Sequence, residues 1–172
     1  MTAIVTISLG GASMAIERVK KYFEQFGLEN RIQEFNVSSA TVELAAQALG
    51  CEPKRIAKTL SFKVNGGCIL VVAAGDAKID NPKYKAKFCT KATMLAADEA
   101  LTLVGHAVGG VCPFGINEGV LVYLDESLKR FETVFPACGS SNSAIELTIA
   151  ELESLSRYTE WVDVCKGWND EA

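Results

Sequence analysis

The 172-residue chain carries 17 basic and 21 acidic side chains, one histidine and six cysteines, for a net charge of −4. That length favours one domain burying about 70% of the surface its unfolded chain would expose. No run of about 18 apolar residues is available to cross a bilayer, and the N-terminal MTAIVTISLGGASM lacks a signal peptide's basic region, so a cytoplasmic protein is expected.

Taken in chain order, residues 1–13 read as an extension, with Met14 a second candidate start. Residues 14–26 read as an amphipathic helix: Ile16, Val19, Phe23 and Phe26 recur at helical spacing, Ser13 suits the cap and Gly27 the stop. Residues 31–36 alternate as a short strand. A second helix is expected over 41–49, capped by Ser39 or Thr41 and closed by Gly50, and Pro53 suits the first position of a short helix over 53–57. Residues 59–64 and 68–74 flank Asn65-Gly66-Gly67, a strong hairpin signal because Asn-Gly accepts the positive backbone angles of tight turns.

Asp80-Asn81-Pro82 opens a helix to Phe88, and Asp98 is expected to cap one running to Val104. Strands are expected over 120–124, 133–136, 144–147 and 161–164, with Thr148-x-x-Glu151 a capping box for an intervening helix. Helices interspersed with strands on short turns predict a single-domain α+β fold, with a mixed, mostly antiparallel sheet and helices packed around it.

Charge is unevenly spread. Residues 53–91 carry 9 basic and 2 acidic side chains, whereas residues 92–172 carry 4 and 13. The basic third could hold a phosphate-rich partner on one face, or its lysines could simply solvate surface helices. The cysteines (Cys51, Cys68, Cys89, Cys112, Cys138, Cys165) are never closer than 17 residues, unlike the close ligand pairs of zinc sites. Six reduced cysteines, no metal and no disulfide framework are expected.

Four stretches could carry chemistry. In GHAVGGVCPFGIN, residues 105–117, three glycines cluster around Cys112-Pro113 beside the only histidine. His106 and Cys112 could form a thiol–imidazole pair, the bare backbone could cradle a ligand, or the loop could be an ordinary turn. Lys58 stands where the expected Pro53 helix meets a strand, facing either solvent or a cleft. Gly75-Asp76-Ala77-Lys78 ends the hairpin, and Gly139-Ser140-Ser141-Asn142-Ser143 is a polar loop between apolar strands.

In order along the chain, Ser39-x-Thr41, Leu49-Gly50, Ile56-Ala57-Lys58-Thr59-Leu60, Gly75-Asp76, Gly109-Gly110-Val111-Cys112-Pro113 and the stretch from Gly139 to Leu147 resemble the YbaK/prolyl-tRNA-synthetase-associated domain. That family comprises aminoacyl-tRNA editing deacylases, and the resemblance spans roughly residues 14–165, leaving 166–172 as a tail. It implies a freestanding deacylase that hydrolyses the ester of a mischarged tRNA, without metal or organic cofactor. The runner-up is a homologue that binds tRNA or a partner without turnover.

The resemblance also implies that Lys58 contacts the terminal adenosine region or helps set the ester. Gly109 and Gly110 of the G-x-x-x-P loop would hold the substrate carbonyl and attacking water. Ser39, Thr41, Asp76, Val111, Cys112, Pro113 and Asn142 would line the site. Lys54, Arg55, Lys78, Lys83, Lys85 and Lys87 would meet the tRNA acceptor end, with no DNA or membrane partner and with synthetase association left open. Some relatives carry an acidic residue where this chain has Ala144, so no particular substrate carries over: a polar pocket would suit serine or threonine, a tight one alanine or cysteine.

Overall fold

The computed structural model describes the backbone of residues 3–169 and the side chains of residues 14–169. The first helix, α1 (Ala3–Glu24), begins well before Met14. From Ala3 onward the expected extension is therefore helical, and Ser13 lies inside the helix rather than at its cap. A nucleated helix propagates cheaply, and the cost of Gly10-Gly11 does not stop it. Val19 and Phe23 are fully buried as their spacing predicts, whereas Phe26 lies beyond the helix end and is 46% exposed.

Residues 29–31 form a single tight turn before β1 (Gln33–Glu34), a shorter strand than expected. Helix α2 (Val42–Leu49) is capped by Thr41, whose hydroxyl oxygen accepts from Leu44 N at 3.2 Å, and closed by Gly50 at φ 68°. Pro53 opens only a short turn, Pro53–Arg55, and β2 (Ile56–Val64) starts immediately. Lys58 thus sits inside a strand, not at a helix end. Strand β3 (Gly67–Ala74) returns through Asn65 (φ 46°) and Gly66 (φ 79°), the two positive angles a tight hairpin turn needs.

Next come β4 (Lys78–Ile79) and α3 (Asn81–Phe88), capped by Asp80. Helix α4 (Ala97–Leu103) starts one residue before Asp98; the cap position is Ala96, whose N–H donates to Glu99 Oε1 at 3.0 Å. The remaining elements are β5 (Leu121–Asp125), β6 (Thr133–Pro136), β7 (Ser143–Ala144), β8 (Leu147–Thr148), α5 (Ile149–Ser156), β9 (Glu160–Val162) and β10 (Cys165–Lys166). The strand expected over 144–147 is therefore split at Ile145-Glu146. The Thr148–Glu151 box forms as its sequence predicts, with reciprocal bonds of 3.1 and 2.9 Å. Arg31 grips Glu151 from the 29–31 turn at 2.7 and 3.1 Å, and that bond, with the cap, holds the carboxyl down to about 2.

The main sheet has the order β8-β6-β2-β3-β5-β9. Its β8–β6 and β2–β3 pairings are antiparallel, and the others are parallel. The short pairs β1–β7 and β4–β10, both antiparallel, fasten loops to its ends. Strand β3 lies at the centre and is buried from Cys68 to Ala74, hence its uninterrupted apolar run. Helix α1 packs Phe23 against Phe114, ring centres 4.8 Å apart, and burying each such ring contributes about 1.5–3 kcal/mol. The C-terminal stretch is no free tail as far as it is described: Lys166 is in β10 and Trp168 packs against the core. Among the described residues, no helix is long and apolar enough to cross a membrane.

Candidate functional site

Among the described residues, the edge of β2 away from β3 is covered in two places. At its start, Ile56 and Ala57 pair with Phe135 and Pro136 of β6. At its end, Phe62 bridges to Met94, with Lys63 N donating to Thr93 O (2.9 Å) and Leu95 N to Ser61 O (3.1 Å). Alternate residues of a strand direct their main-chain groups to the same side, so Thr59 aims its N–H and C=O outward between these two partners. Among the described residues, no strand pairs with β2 there. The notch opens into a cavity of about 450 Å³.

Five of the expected site residues border this cavity: Ser39, Thr41, Lys58, Gly109 and Val111. Ser39 is buried and locked to the 139–143 loop, its N–H (2.7 Å) and its hydroxyl (3.3 Å) both donating to Ser141 O. Gly109 adopts φ +95°, and a Cβ there would meet Ala40 Cβ at 3.2 Å. Lys58 Nζ donates to Ala77 O and, at 3.4 Å, to Gly75 O. Burial pushes the Lys58 amine below its ordinary range, opposed by the nearby Asp76 and Glu43 carboxylates.

Other expected site residues lie elsewhere. Asp76 forms a two-pronged pair with Arg130, at 2.6 and 2.9 Å, outside the cavity. Asn142 ties its loop to the β1 approach, its Nδ2 donating to Phe35 O at 2.9 Å. Gly110 N is engaged by Ala107 O at 3.0 Å, which removes it as a donor for a substrate carbonyl. Pro113 borders a second cavity with Tyr22 and Gly115. Cys112 is fully buried in the core. The Gly109–Pro113 stretch thus meets the first cavity only through alternate residues, Gly109 and Val111.

The thiol–imidazole alternative fails on chemistry. His106 Nε2 lies 2.7 Å from Phe114 O, and a carbonyl only accepts, so Nε2 must carry the proton. That nitrogen, 3.5 Å from Cys112 Sγ, cannot also take the thiol's proton. Burial holds His106 below its ordinary range and pushes the Cys112 thiol up to about 12. Near neutrality such a thiol stays protonated, which is not the state of a nucleophile. Iodoacetamide at pH 8 is therefore expected to alkylate the exposed Cys89 and leave Cys112 unmodified by peptide mass mapping. Fast alkylation of Cys112 in folded protein would refute this environment.

Four of the nine basic side chains of residues 53–91 pair with acidic residues of the stretch 92–172, Lys63 with Glu99 at 3.1 Å among them. Arg55 bonds Glu146 (3.2 Å) and Thr133, Lys83 bonds Asp163 (3.0 Å), and Lys87 bonds Glu160. Lys54 pairs locally with Glu52 at 3.4 Å. Among the described residues, Lys78 and Lys85 make no ion pair. Part of the charge asymmetry therefore serves contacts within the fold.

Three site features escaped the sequence. Thr59 supplies the notch backbone, and its hydroxyl oxygen is buried without a partner. Met94 and Val108, 57% and 63% exposed, stand at the cavity as large apolar groups facing water. Only Thr59 had a local signal, its place beside Lys58; the other two depend on distant segments meeting.

Residues 37–155 match the aminoacyl-tRNA editing domain. The uncharacterized protein YwhH of Bacillus subtilis (strain 168) is 56% identical over 156 residues, covering 90% of this chain and 99% of that one. The proline–tRNA ligase of Thermosipho melanesiensis (strain DSM 12029 / CIP 104789 / BI429) is 30% identical over 125 residues, covering 72% of this chain but 22% of the ligase. The crystal structure of a candidate trans-editing enzyme for prolyl tRNA synthetase superposes with a TM-score of 0.80 at 30% identity, over 89% of this chain and 98% of that one. Hypothetical protein APE2540 superposes with a TM-score of 0.77 at 27% identity, over 87% and 99%. With the motifs in order, the fold shared and most of its length matched, the chain belongs to the aminoacyl-tRNA editing domain family.

Proposed function

We propose that this protein is a trans-editing aminoacyl-tRNA deacylase, hydrolysing the ester between a wrongly attached amino acid and the terminal ribose of tRNA. The observation that carries the reading is the notch in β2: Lys58, the outward main-chain groups of Thr59 and the Gly109 wall border one cavity, and among the described residues no cysteine or histidine lines it. An aminoacyl ester is already reactive, so orienting it and a water against fixed dipoles suffices. Water adds to the ester carbon, the bond to the ribose oxygen breaks, and that oxygen leaves with a proton as the free hydroxyl.

Lys58 has three N–H donors, of which Gly75 O and Ala77 O take two. The third is left for the substrate, where a positive charge stabilises the oxyanion developing on the ester. Editing in a separate cavity is worthwhile because one methylene is worth only about 1–3 kcal/mol of discrimination in a synthetic site. Lys78 and Lys85 are the cations we assign to acceptor-end phosphates. The likeness to the candidate trans-editing enzyme, over nearly all of that chain, supports action in trans.

Deacylation of Ala-, Cys-, Ser- and Thr-charged tRNA by wild type and Lys58→Ala tests this. Wild type is expected to discharge at least one species, and Lys58→Ala to slow that turnover by about a hundredfold. A folded wild type that binds tRNA but discharges none would make it a binding module instead. Equal rates in the two proteins would remove Lys58 from the chemistry.

A further inference from the structure

We propose that Arg130 and Asp76 are positioning residues, which fix the Lys58 side chain by holding the loop whose carbonyls grip its Nζ. This rests on the reading of Lys58 as the ammonium of the editing site.

The two carbonyls bonded to Lys58 belong to Gly75 and Ala77, the neighbours of Asp76 on either side. Gly75 O belongs to the peptide that joins Gly75 to Asp76, and Ala77 O to the peptide after Ala77, so both move with the loop that Asp76 ties down. Its carboxylate takes both prongs of the Arg130 guanidinium, Nη2 to Oδ1 at 2.6 Å and Nη1 to Oδ2 at 2.9 Å. A two-pronged pair fixes orientation as well as distance, which a lysine in place of Arg130 could not do.

Arg130 is itself held from several directions. Its Nε donates to Ser127 O (2.9 Å) and its Nη1 to Trp168 O (3.2 Å), with the rings of Phe131 and Trp168 at 4.7 and 5.1 Å. Ser127 is fully buried, accepts from Ala74 N at 3.1 Å, and donates its own N–H to the buried Asp125. A rigid path therefore runs from the end of β5 through Asp125, Ser127, Arg130 and Asp76 to Lys58. Asp76 and Arg130 do not border the cavity, so their effect on an ester held there runs through the loop.

The charged and titratable groups around Lys58 are Asp76 and Glu43, which favour the ammonium, Lys78, which opposes it, and the Cys165 thiol. Burial pushes that thiol far above its ordinary range, so it is uncharged near neutrality. Removing Arg130 leaves Asp76 without its counter-charge and frees the loop to admit water around Lys58. Both changes act in the same direction, moving the amine's titration up toward its ordinary range.

The experiment follows the Lys58 ¹³Cε signal, assigned by its loss in Lys58→Arg, through a pH titration of wild type, Arg130→Ala, Arg130→Lys and Asp76→Asn, with deacylation kinetics on the same proteins. Arg130→Ala is expected to raise the Lys58 titration midpoint and lower kcat by about tenfold to a hundredfold, with KM nearly unchanged; Arg130→Lys falls between. A folded Arg130→Ala whose Lys58 titrates as in wild type overturns the proposal, even if activity falls with stability. Should Arg130→Ala not fold, the charge-preserving Arg130→Lys decides: its Lys58 signal must move upward, and an unmoved signal is fatal. A wild type without deacylase activity would refute the proposed function, while the Lys58 titration would still decide the positioning role.

Discussion

Gly75→Ala is expected to destabilise the protein by about 3 kcal/mol or more, and to weaken deacylation in the fraction that remains folded. A Cβ at this position would lie 2.0 Å from Pro53 O, 2.8 Å from Val42 Cγ1 and 3.0 Å from Pro53 C. The Val42 methyl could rotate, but the Pro53 main chain cannot, because it opens the turn that feeds β2. The loop must therefore move, and Gly75 O, a partner of Lys58 Nζ, must move with it. At about 2–4 °C per kcal/mol for a chain of this size, the melting temperature should fall by about 6–12 °C. A thermal melt followed by circular dichroism checks this, and a wild-type melting temperature would show that the hairpin end does not pack so closely on Pro53.

The same position marks the limit of what the sequence tells. Gly75-Asp76 reads correctly as the end of a hairpin. Which atoms it meets is decided by Pro53, Val42 and Arg130, and no local pattern reveals them. Where the determinant is local, the elements are legible: Thr41 and Gly50 around α2, Asp80 before α3, Asn65-Gly66 in the hairpin, Thr148 with Glu151 on α5. Each is a side chain or a backbone angle acting within a few residues of itself.

The misreadings share a cause. Pro53 reads as a helix start through 57, but Ile56 and Ala57 gain more by pairing with β6, nearly 80 residues away in sequence. Helix α4 begins before Asp98 because Glu99 reaches back to the Ala96 N–H, a cap that needs no polar side chain at Ala96 itself. In the site, Lys58, Ser39, Thr41, Gly109 and Val111 are legible through motif and resemblance. Asp76 and Asn142 are polar residues on loops, and sequence alone does not separate a polar group that faces substrate from one that braces a loop. The notch itself could not be read, since it exists only because β6 ends at one point of β2 and residues 93–95 join at another.

The paired glycines 109 and 110 allow bracing and substrate contact to be separated by experiment. Gly110→Ala is expected to cost about 2–3 kcal/mol, because its Cβ would meet Ser140 N at 2.7 Å, Gly139 C at 2.8 Å and Ser140 C at 2.9 Å, all of them main chain. Its activity should fall only as far as the folded fraction does, since its amide is committed to Ala107 O. Gly109→Ala meets no main-chain atom closer than 3.7 Å, so its cost is mainly that of holding a positive φ, about 1–2 kcal/mol. Its methyl, however, would stand against Ala40 at the wall of the cavity, where the proposed function seats the ester. Urea denaturation and deacylation kinetics on both variants should therefore rank them in opposite orders: Gly110→Ala the less stable, Gly109→Ala the less active per folded molecule. If instead both lose activity in step with stability, the loop contributes only its shape, and the substrate lies against Lys58 and Thr59 without touching the glycines.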